Sequence, residues 1–125
     1  MLLVGPPGAG KSTLAVNLAS DHGLVHLEAE MFAGARPTFR DRVAALRDDR
    51  QARAVVVRCC PTVAEQRELE DLAGVTETVV LDVDPDECAR RIAARRRPTW
   101  RGEVAAARRW RTQRAGNAAS TVRTW

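Results

Sequence analysis

The chain has 125 residues, of which 45% are hydrophobic, and this size and composition are those of a single globular domain. No apolar run approaches the roughly 20 residues of a membrane span, and three cysteines without metal-type spacing favour reduced thiols over disulfides or a zinc site. The formal net charge is +4, and the chain leads directly into an apolar strand rather than a signal peptide, so we expect a cytoplasmic protein.

The clearest motif follows the short apolar run 2–4. The segment Gly-Pro-Pro-Gly-Ala-Gly-Lys-Ser-Thr fills every fixed position of the phosphate-binding loop G-x-x-x-x-G-K-[ST]. Gly8 and Gly10 permit positive φ angles, and main-chain N–H groups at a helix N-terminus attract phosphate oxygens. Lys11 is expected to bridge the β- and γ-phosphates, and the Ser12 hydroxyl to bind Mg²⁺. The predicted triphosphate site consists of Gly5, Gly8, Ala9, Gly10, Lys11, Ser12 and Thr13.

The rest of the chain alternates apolar strands with amphipathic helices. We predict strands at 2–4, 24–27, 54–57 and 78–83, and helices at 11–20, 39–51, 62–74, 84–98 and 103–115. Thr38, Thr62 and Asp84 are the expected N-caps of three helices, with Glu65 completing a capping box after Thr62. This alternation predicts a doubly wound α/β domain around a parallel sheet.

Charge is distributed unevenly along the chain. Residues 1–89 hold nine basic and fifteen acidic residues, a net charge of −6, whereas residues 90–125 hold eleven arginines and one acid, a net charge of +10. A basic segment of this kind can bind nucleic acid, bind a phosphate-rich substrate, or remain solvated. Trp100, Trp110 and Trp125 lie among these arginines, and for Trp110 we favour anchoring of a terminal helix over stacking on bases.

Three features together carry a family resemblance: the loop, the acids Glu28 and Glu30 after the second strand, and the segment Leu-Asp-Val-Asp-Pro-Asp-Glu-Cys-Ala-Arg-Arg at 81–91. Over about residues 1–98 the chain resembles the small P-loop kinases, which include nucleotide, shikimate-type and polynucleotide kinases and small AAA family ATPases of phage and actinobacteria. The resemblance implies a three-layer P-loop NTPase fold with strand order 2-3-1-4, ATP and Mg²⁺ as ligands, and residues 99–125 as a basic helical extension that packs on this domain or trails from it.

The same resemblance implies roles for individual residues. An acid after the second strand contacts the acceptor, acts as a base or holds Mg²⁺ through water, which points to Glu28 first and Glu30 second, although aspartate is commoner there. Arginines near the end of the fourth helix neutralise the transferred phosphoryl group, and Arg91 and Arg95 share the favoured face. Arg58, at the end of the third strand, meets a substrate or the γ-phosphate, or else pairs with a nearby acid.

Three functions remain open on the sequence alone. No acid follows the third strand, which disfavours a motor-type ATPase and favours a kinase that transfers the ATP γ-phosphate to a hydroxyl. The alternatives are an ATPase that acts on nucleic acid through residues 90–125, and a nucleotide-binding module without chemistry, which the missing lid and the glutamates in place of aspartate suggest. We interpret Cys59 and Cys60 as buried small residues rather than nucleophiles.

Overall fold

A computed structural model describes residues 1–34 and 36–118 of the chain. The elements in chain order are β1 (Leu2–Val4), α1 (Lys11–His22), β2 (Val25–Glu28), a 3-10 helix (Ala29–Phe32), α2 (Phe39–Arg47), β3 (Ala54–Arg58), α3 (Val63–Ala73), β4 (Thr78–Val80), α4 (Pro85–Arg95) and α5 (Trp100–Ala118). The prediction for Trp125 lies outside the described residues.

The four strands form one parallel sheet in the order β2-β3-β1-β4, which confirms the predicted topology. In the register of the central pair, Leu3 of β1 lies opposite Val57 of β3, and on the other side of β1 it lies opposite Val79 of β4. Since all strands are parallel, their carboxyl ends meet at one edge of the sheet. The phosphate loop, Glu28 and Arg58 follow or end three of these strands and therefore share that edge.

Alternate residues of the strands are buried on opposite faces of the sheet. Leu2 and Val4 pack with Val43 of α2 and Trp110 of α5, whereas Leu3 packs with residues of α1 on the other face. A third buried cluster joins the phosphate loop to α4 and α5. Helices thus cover both faces, which explains why β1 and β3 are apolar almost throughout.

Several predicted boundaries were wrong by a few residues, each for a local reason. β4 ends at Val80 rather than at residue 83, because its partner β1 ends at Val4, directly opposite. α4 ends at Arg95, three residues before Pro98, since Arg96 takes a left-handed φ of 53°. α2 ends at Arg47 rather than at residue 51, and α5 runs from 100 to 118 rather than from 103 to 115. The description of α5 as part of the same domain or as a trailing extension remains a proposal.

All three predicted N-caps are confirmed. Thr38 and Thr62 each form a complete capping box, with Asp41 and Glu65 as the third helical residues, and the Asp84 side chain accepts a hydrogen bond from the main-chain N–H of Asp86. These caps fix the residues at which α2, α3 and α4 begin.

We expect Thr62→Ala to lower the free energy of unfolding by about 1 kcal/mol, the usual cost of removing a threonine N-cap. Thr62 Oγ1 lies 3.1 Å from the Glu65 amide nitrogen, which loses its acceptor in the variant. Urea unfolding measures the change, and Thr76→Ala, at an exposed loop position, is the control. Equal stability of the two variants would show that the cap contributes nothing to α3.

Candidate functional site

The phosphate loop joins β1 to α1 and closes around its own lysine. Gly8 and Gly10 have φ angles of 79° and 90°, so the predicted positive φ angles are present. Lys11, the first residue of α1, is only 9% exposed. Its Nζ donates a hydrogen bond of 2.7 Å to the main-chain oxygen of Pro6, which also accepts from the amide of Ala9 at 3.2 Å. The ammonium group is therefore already held over the loop.

The back of the loop packs tightly against the segment that follows β4. A Cβ atom on Gly8 would lie 2.8 Å from the main-chain oxygen of Cys88 and 2.9 Å from Cγ1 of Ile92, both on α4. A Cβ atom on Gly5 would lie 2.9 Å from the main-chain oxygen of Leu81. Both glycines are therefore required by packing, Gly8 also by its positive φ angle, and α4 lies directly behind Gly8.

A cavity of about 810 Å³ opens from the phosphate loop across the carboxyl edge of the sheet. This volume lies within the usual range of small-molecule sites, about 300–1,000 Å³. Among the predicted site residues, the cavity is lined by Gly8, Lys11, Ser12, Glu28, Glu30, Arg58 and Arg95. The structure therefore places both candidate acids and two of the candidate arginines around one space that begins at the loop.

The two acids differ in how they are held. Glu28 is the last residue of β2, is partly buried, and shares a 2.7 Å hydrogen bond between its Oε1 and Nε2 of His26. Glu30 lies in the short 3-10 helix and is exposed. The pair was not among the predicted contacts, although residues i and i+2 of a strand point to the same face and the spacing of His26 and Glu28 already indicates it. The pairing gives Glu28 the better defined position.

Arg91 and Arg95 have different surroundings, although they share a helical face. Arg91 does not line the cavity: its Nε donates to Oε1 of Glu87 at 3.2 Å, and its Nη1 lies 3.4 Å from the main-chain oxygen of Gly8. Arg90 also pairs with Glu87, which lowers the pKa of that carboxyl. Arg91 therefore lies against the phosphate loop and pairs with Glu87, whereas Arg95 lines the cavity without an acidic partner among the described residues.

The turn after β3 is held by two side chains of α5 that the sequence did not predict for this role. Trp110 is 3% exposed, and its Nε1–H donates to the main-chain oxygen of Cys59 at 2.6 Å. Arg114 donates to the main-chain oxygen of Cys60 at 3.0 Å. Burial raises the pKa of the Cys60 thiol to about 12, which supports its interpretation as a buried small residue.

The sequence of this chain matches one family model over most of its length and one curated protein over a short segment. A family model described as an AAA domain matches residues 1–111. The chain belongs to this AAA-domain family. Over 27 residues it is 67% identical to an adenylate kinase of Synechococcus sp. (strain RCC307), a segment that spans 22% of this chain but only 15% of that enzyme.

Solved structures share the fold of this AAA-domain protein. The YorR protein of Bacillus subtilis in complex with phosphorylated GDP is 16% identical with a TM-score of 0.59, and the alignment covers all of this chain and 84% of that one. A gluconokinase of Sinorhizobium meliloti 1021 is 19% identical with a TM-score of 0.56, over 95% and 93% of the two chains. A shikimate kinase of Acinetobacter baumannii with bound shikimate is 21% identical with a TM-score of 0.51, over 90% and 78%. The chain thus shares the fold of these P-loop proteins.

The basic segment of this AAA-domain protein is paired in part with acidic residues of the fold. Besides the pairs of Glu87, Arg97 lies 3.2 Å from Glu103 and Arg111 lies 3.1 Å from Asp82. Arg114 is partly buried against Trp110. In the part of the chain that the structure describes, four other arginines of residues 90–118 have no acidic partner, namely Arg95, Arg96, Arg101 and Arg109. The nucleic-acid interface suggested for residues 90–125 stays a prediction. Among the described residues, no helix is long and apolar enough to cross a membrane.

The residues at the loop fit Mg²⁺ held mainly by a nucleotide. Within residues 1–34 and 36–118, no three His, Cys, Asp or Glu side chains cluster as a metal site built from the protein alone would require. Mg²⁺ in phosphate-binding enzymes usually takes one or two protein ligands together with phosphate oxygens and water. Ser12 and Glu28 line the same cavity and would supply one or two such oxygen ligands.

Proposed function

We propose that the protein is an ATP-dependent phosphotransferase that moves the γ-phosphate of ATP to a hydroxyl group of a small molecule or nucleotide. The observation that carries this proposal is the continuity of one cavity from Lys11 and Ser12 to Glu28 and Arg58. A phosphate donor at the loop and an acceptor at the ends of β2 and β3 would then share a single space. A protein that only hydrolysed ATP would not need the part of the cavity at the ends of β2 and β3.

The phosphate loop is proposed to bind ATP through its main-chain N–H groups and Lys11. Lys11 would exchange its hydrogen bond to the Pro6 oxygen for one to the phosphates, which costs little because the ammonium already lies at the loop. ATP is preferred to GTP because the guanine-reading sequence N-K-x-D is absent from the chain. Bound Mg²⁺, held by Ser12, would offset the charge of the phosphate oxygens.

The proposed transfer needs a base and a positive charge at the moving group. The acceptor oxygen forms a bond to the γ-phosphorus while the bond from that phosphorus to the β–γ bridging oxygen breaks, ADP leaves, and the hydroxyl proton passes to a carboxylate. Glu28 is the proposed carboxylate, because His26 holds one of its oxygens and the other has no partner among the described residues. Lys11 and Arg95 are proposed to stabilise the charge on the transferred group.

The fate of the γ-phosphate tests the proposal directly. The protein is incubated with γ-labelled ATP and Mg²⁺, alone and with pooled nucleosides, nucleotides, sugars, hydroxy acids and single-stranded oligonucleotides. Label on an added small acceptor is the expected result. Release of free phosphate that oligonucleotides accelerate would replace the proposal with a nucleic-acid-dependent ATPase. Label that stays on ATP under all conditions would identify a nucleotide-binding module.

We expect Glu28→Gln to lower the transfer rate by about 10²-fold or more, since loss of a general base typically costs 10²–10⁴. ATP binding should change little, because the amide keeps the shape of the side chain and the hydrogen bond to His26. Single-turnover transfer from labelled ATP measures the rate, and Glu30→Gln, at the exposed acid, should have a smaller effect. An unchanged rate in Glu28→Gln would remove Glu28 from the reaction.

A further inference from the structure

The charged residues that line the cavity are not equally paired. Arg40 lies 3.3 Å from Glu68, Arg97 pairs with Glu103, and Lys11 bonds to a main-chain oxygen. Arg58 and Arg95 also line the cavity, but neither has a carboxylate partner among the described residues. A guanidinium group that faces a cavity without a partner is well suited to bind an anion from outside.

The two unpaired arginines lie on different walls. Arg95 is at the end of α4, whose earlier turns pack behind Gly8 of the phosphate loop. Arg58 ends β3, and its guanidinium carbon lies 5.6 Å from the ring centre of Phe39, the first residue of α2. The neighbouring wall is built from residues of α3, among them Leu69 and Leu72. Arg58 therefore lies in the part of the cavity at the ends of β2 and β3, where the acceptor is proposed to bind. Arg95 lies in the part next to the phosphate loop, where ATP is proposed to bind.

The turn that carries Arg58 is braced from behind. Cys60 has a φ of 43°, a left-handed conformation that a residue with a side chain adopts only at a cost. The hydrogen bonds from Trp110 and Arg114 to the main-chain oxygens of Cys59 and Cys60 hold this conformation. Arg114 also donates to Oε1 of Gln66 at 2.7 Å, so the side chain that holds the turn also contacts α3. The direction in which Arg58 leaves the sheet is therefore set before any ligand binds.

We propose that the acceptor is a hydroxyl compound that carries an anionic group, a phosphate monoester or a carboxylate, and that Arg58 binds this group. Trp110 and Arg114 act as positioning residues, since they hold the turn and do not touch the acceptor. This inference rests on the proposed phosphotransferase function and narrows its substrate class. A planar guanidinium can bind either anion with two parallel hydrogen bonds, and Phe39 limits its rotation.

Calorimetric titration tests the inference without turnover. The phosphate loop is first saturated with Mg²⁺ and adenylyl imidodiphosphate, so that anions cannot bind there. Two matched pairs are then titrated at millimolar concentration: a nucleoside 5′-monophosphate against its nucleoside, and an aldonate against the corresponding alditol. We expect an anionic member to bind and its neutral partner not to bind. The pair that responds distinguishes a phosphate ester from a carboxylate.

Variants link the binding to Arg58. Arg58→Gln should weaken binding of the anionic probe by about 10- to 150-fold, the loss expected for hydrogen bonds to a charged group. Arg67→Gln, at an exposed position of α3 outside the cavity, should leave it unchanged. Trp110→Phe, which keeps an aromatic ring but loses the N–H donor, should weaken the anionic probe several-fold and leave the affinity for the ATP analogue unchanged. If Trp110 only stabilised the fold, the substitution would change the affinities for the anionic probe and for the ATP analogue to a similar extent.

Two results would overturn the inference. One is equal binding, or equal absence of binding, of anionic and neutral members in both pairs. The other is unchanged binding of the anionic probe by Arg58→Gln. The labelled-ATP assay reports separately on the proposed function: selective, Arg58-dependent binding of an anion without transfer would contradict the phosphotransferase and leave the anion site in place. Transfer of the label to a neutral acceptor would contradict the anion site and support the phosphotransferase.

Discussion

Lys11→Ala should abolish most of the rise in melting temperature that MgATP produces in the unchanged protein. Lys11 is buried at the loop, and its ammonium group has only a main-chain oxygen as its partner among the described residues. A hydrogen bond from a charged donor contributes about 1.5–3 kcal/mol, so its loss lowers nucleotide affinity by about 10- to 150-fold. Stabilisation by a ligand follows the logarithm of its concentration over Kd, so the melting temperature would respond only at much higher ATP.

The measurement is thermal unfolding over a series of MgATP concentrations. Lys11→Met, which keeps most of the apolar stem, separates loss of charge from loss of packing, and both variants must be compared with their own nucleotide-free melting temperature. Arg67→Gln serves as the charge control and should respond fully to ATP. A full response to MgATP in both lysine variants would remove residues 5–13 as the nucleotide site.

Gly8→Ala should lower the free energy of unfolding by about 2–5 kcal/mol. An alanine at a φ of 79° costs about 1–2 kcal/mol from its backbone conformation alone. Its Cβ would also lie 2.8 Å from the main-chain oxygen of Cys88, so the loop or α4 must move, and such overpacking costs about 1–3 kcal/mol. Because the loop itself is displaced, nucleotide affinity should fall together with stability.

Gly23→Ala is the matched control for this variant. Gly23 has a φ of 66°, but a Cβ atom there would meet nothing within 4 Å, so only the backbone cost applies. The difference between the two alanine variants in urea unfolding measures the contact between the phosphate loop and α4. If Gly8→Ala were no less stable than Gly23→Ala, α4 would not pack against the loop as described.

The parts of the molecule that the sequence predicted correctly are specified by neighbouring residues. The loop and the N-caps at Thr38, Thr62 and Asp84 follow from such local patterns, whereas the strand order was implied by the resemblance to small P-loop kinases. The boundary errors have a different origin. β4 is short because β1 is short, and the length of a strand depends on a partner that its own sequence does not contain.

The contacts of the arginines were harder to predict, because many arginines offer the same chemistry. Arg91 and Arg95 share a face, but Glu87 lies one turn before Arg91 and pairs with it, a signal that the i, i+4 spacing already offered. The hydrogen bond from Trp110 to the main-chain oxygen of Cys59 joins residues 51 positions apart. The helical and strand periodicities of the sequence indicate only contacts between residues a few positions apart. Burial of Trp110 was expected, whereas its role in bracing the turn after β3 required the folded arrangement.

The tight packing behind Gly5 and Gly8 also limits which residues of the loop can be substituted during evolution. A Cβ atom on Gly5 would lie 2.9 Å from a main-chain oxygen, and one on Gly8 would lie 2.8 Å from another, so both glycines are needed by the fold itself. In a descendant that had lost ATP binding, purifying selection for a stable fold would still retain these two glycines, while Lys11 would be free to drift. In chains that have lost nucleotide binding, we therefore expect Lys11 to be replaced before Gly5 or Gly8.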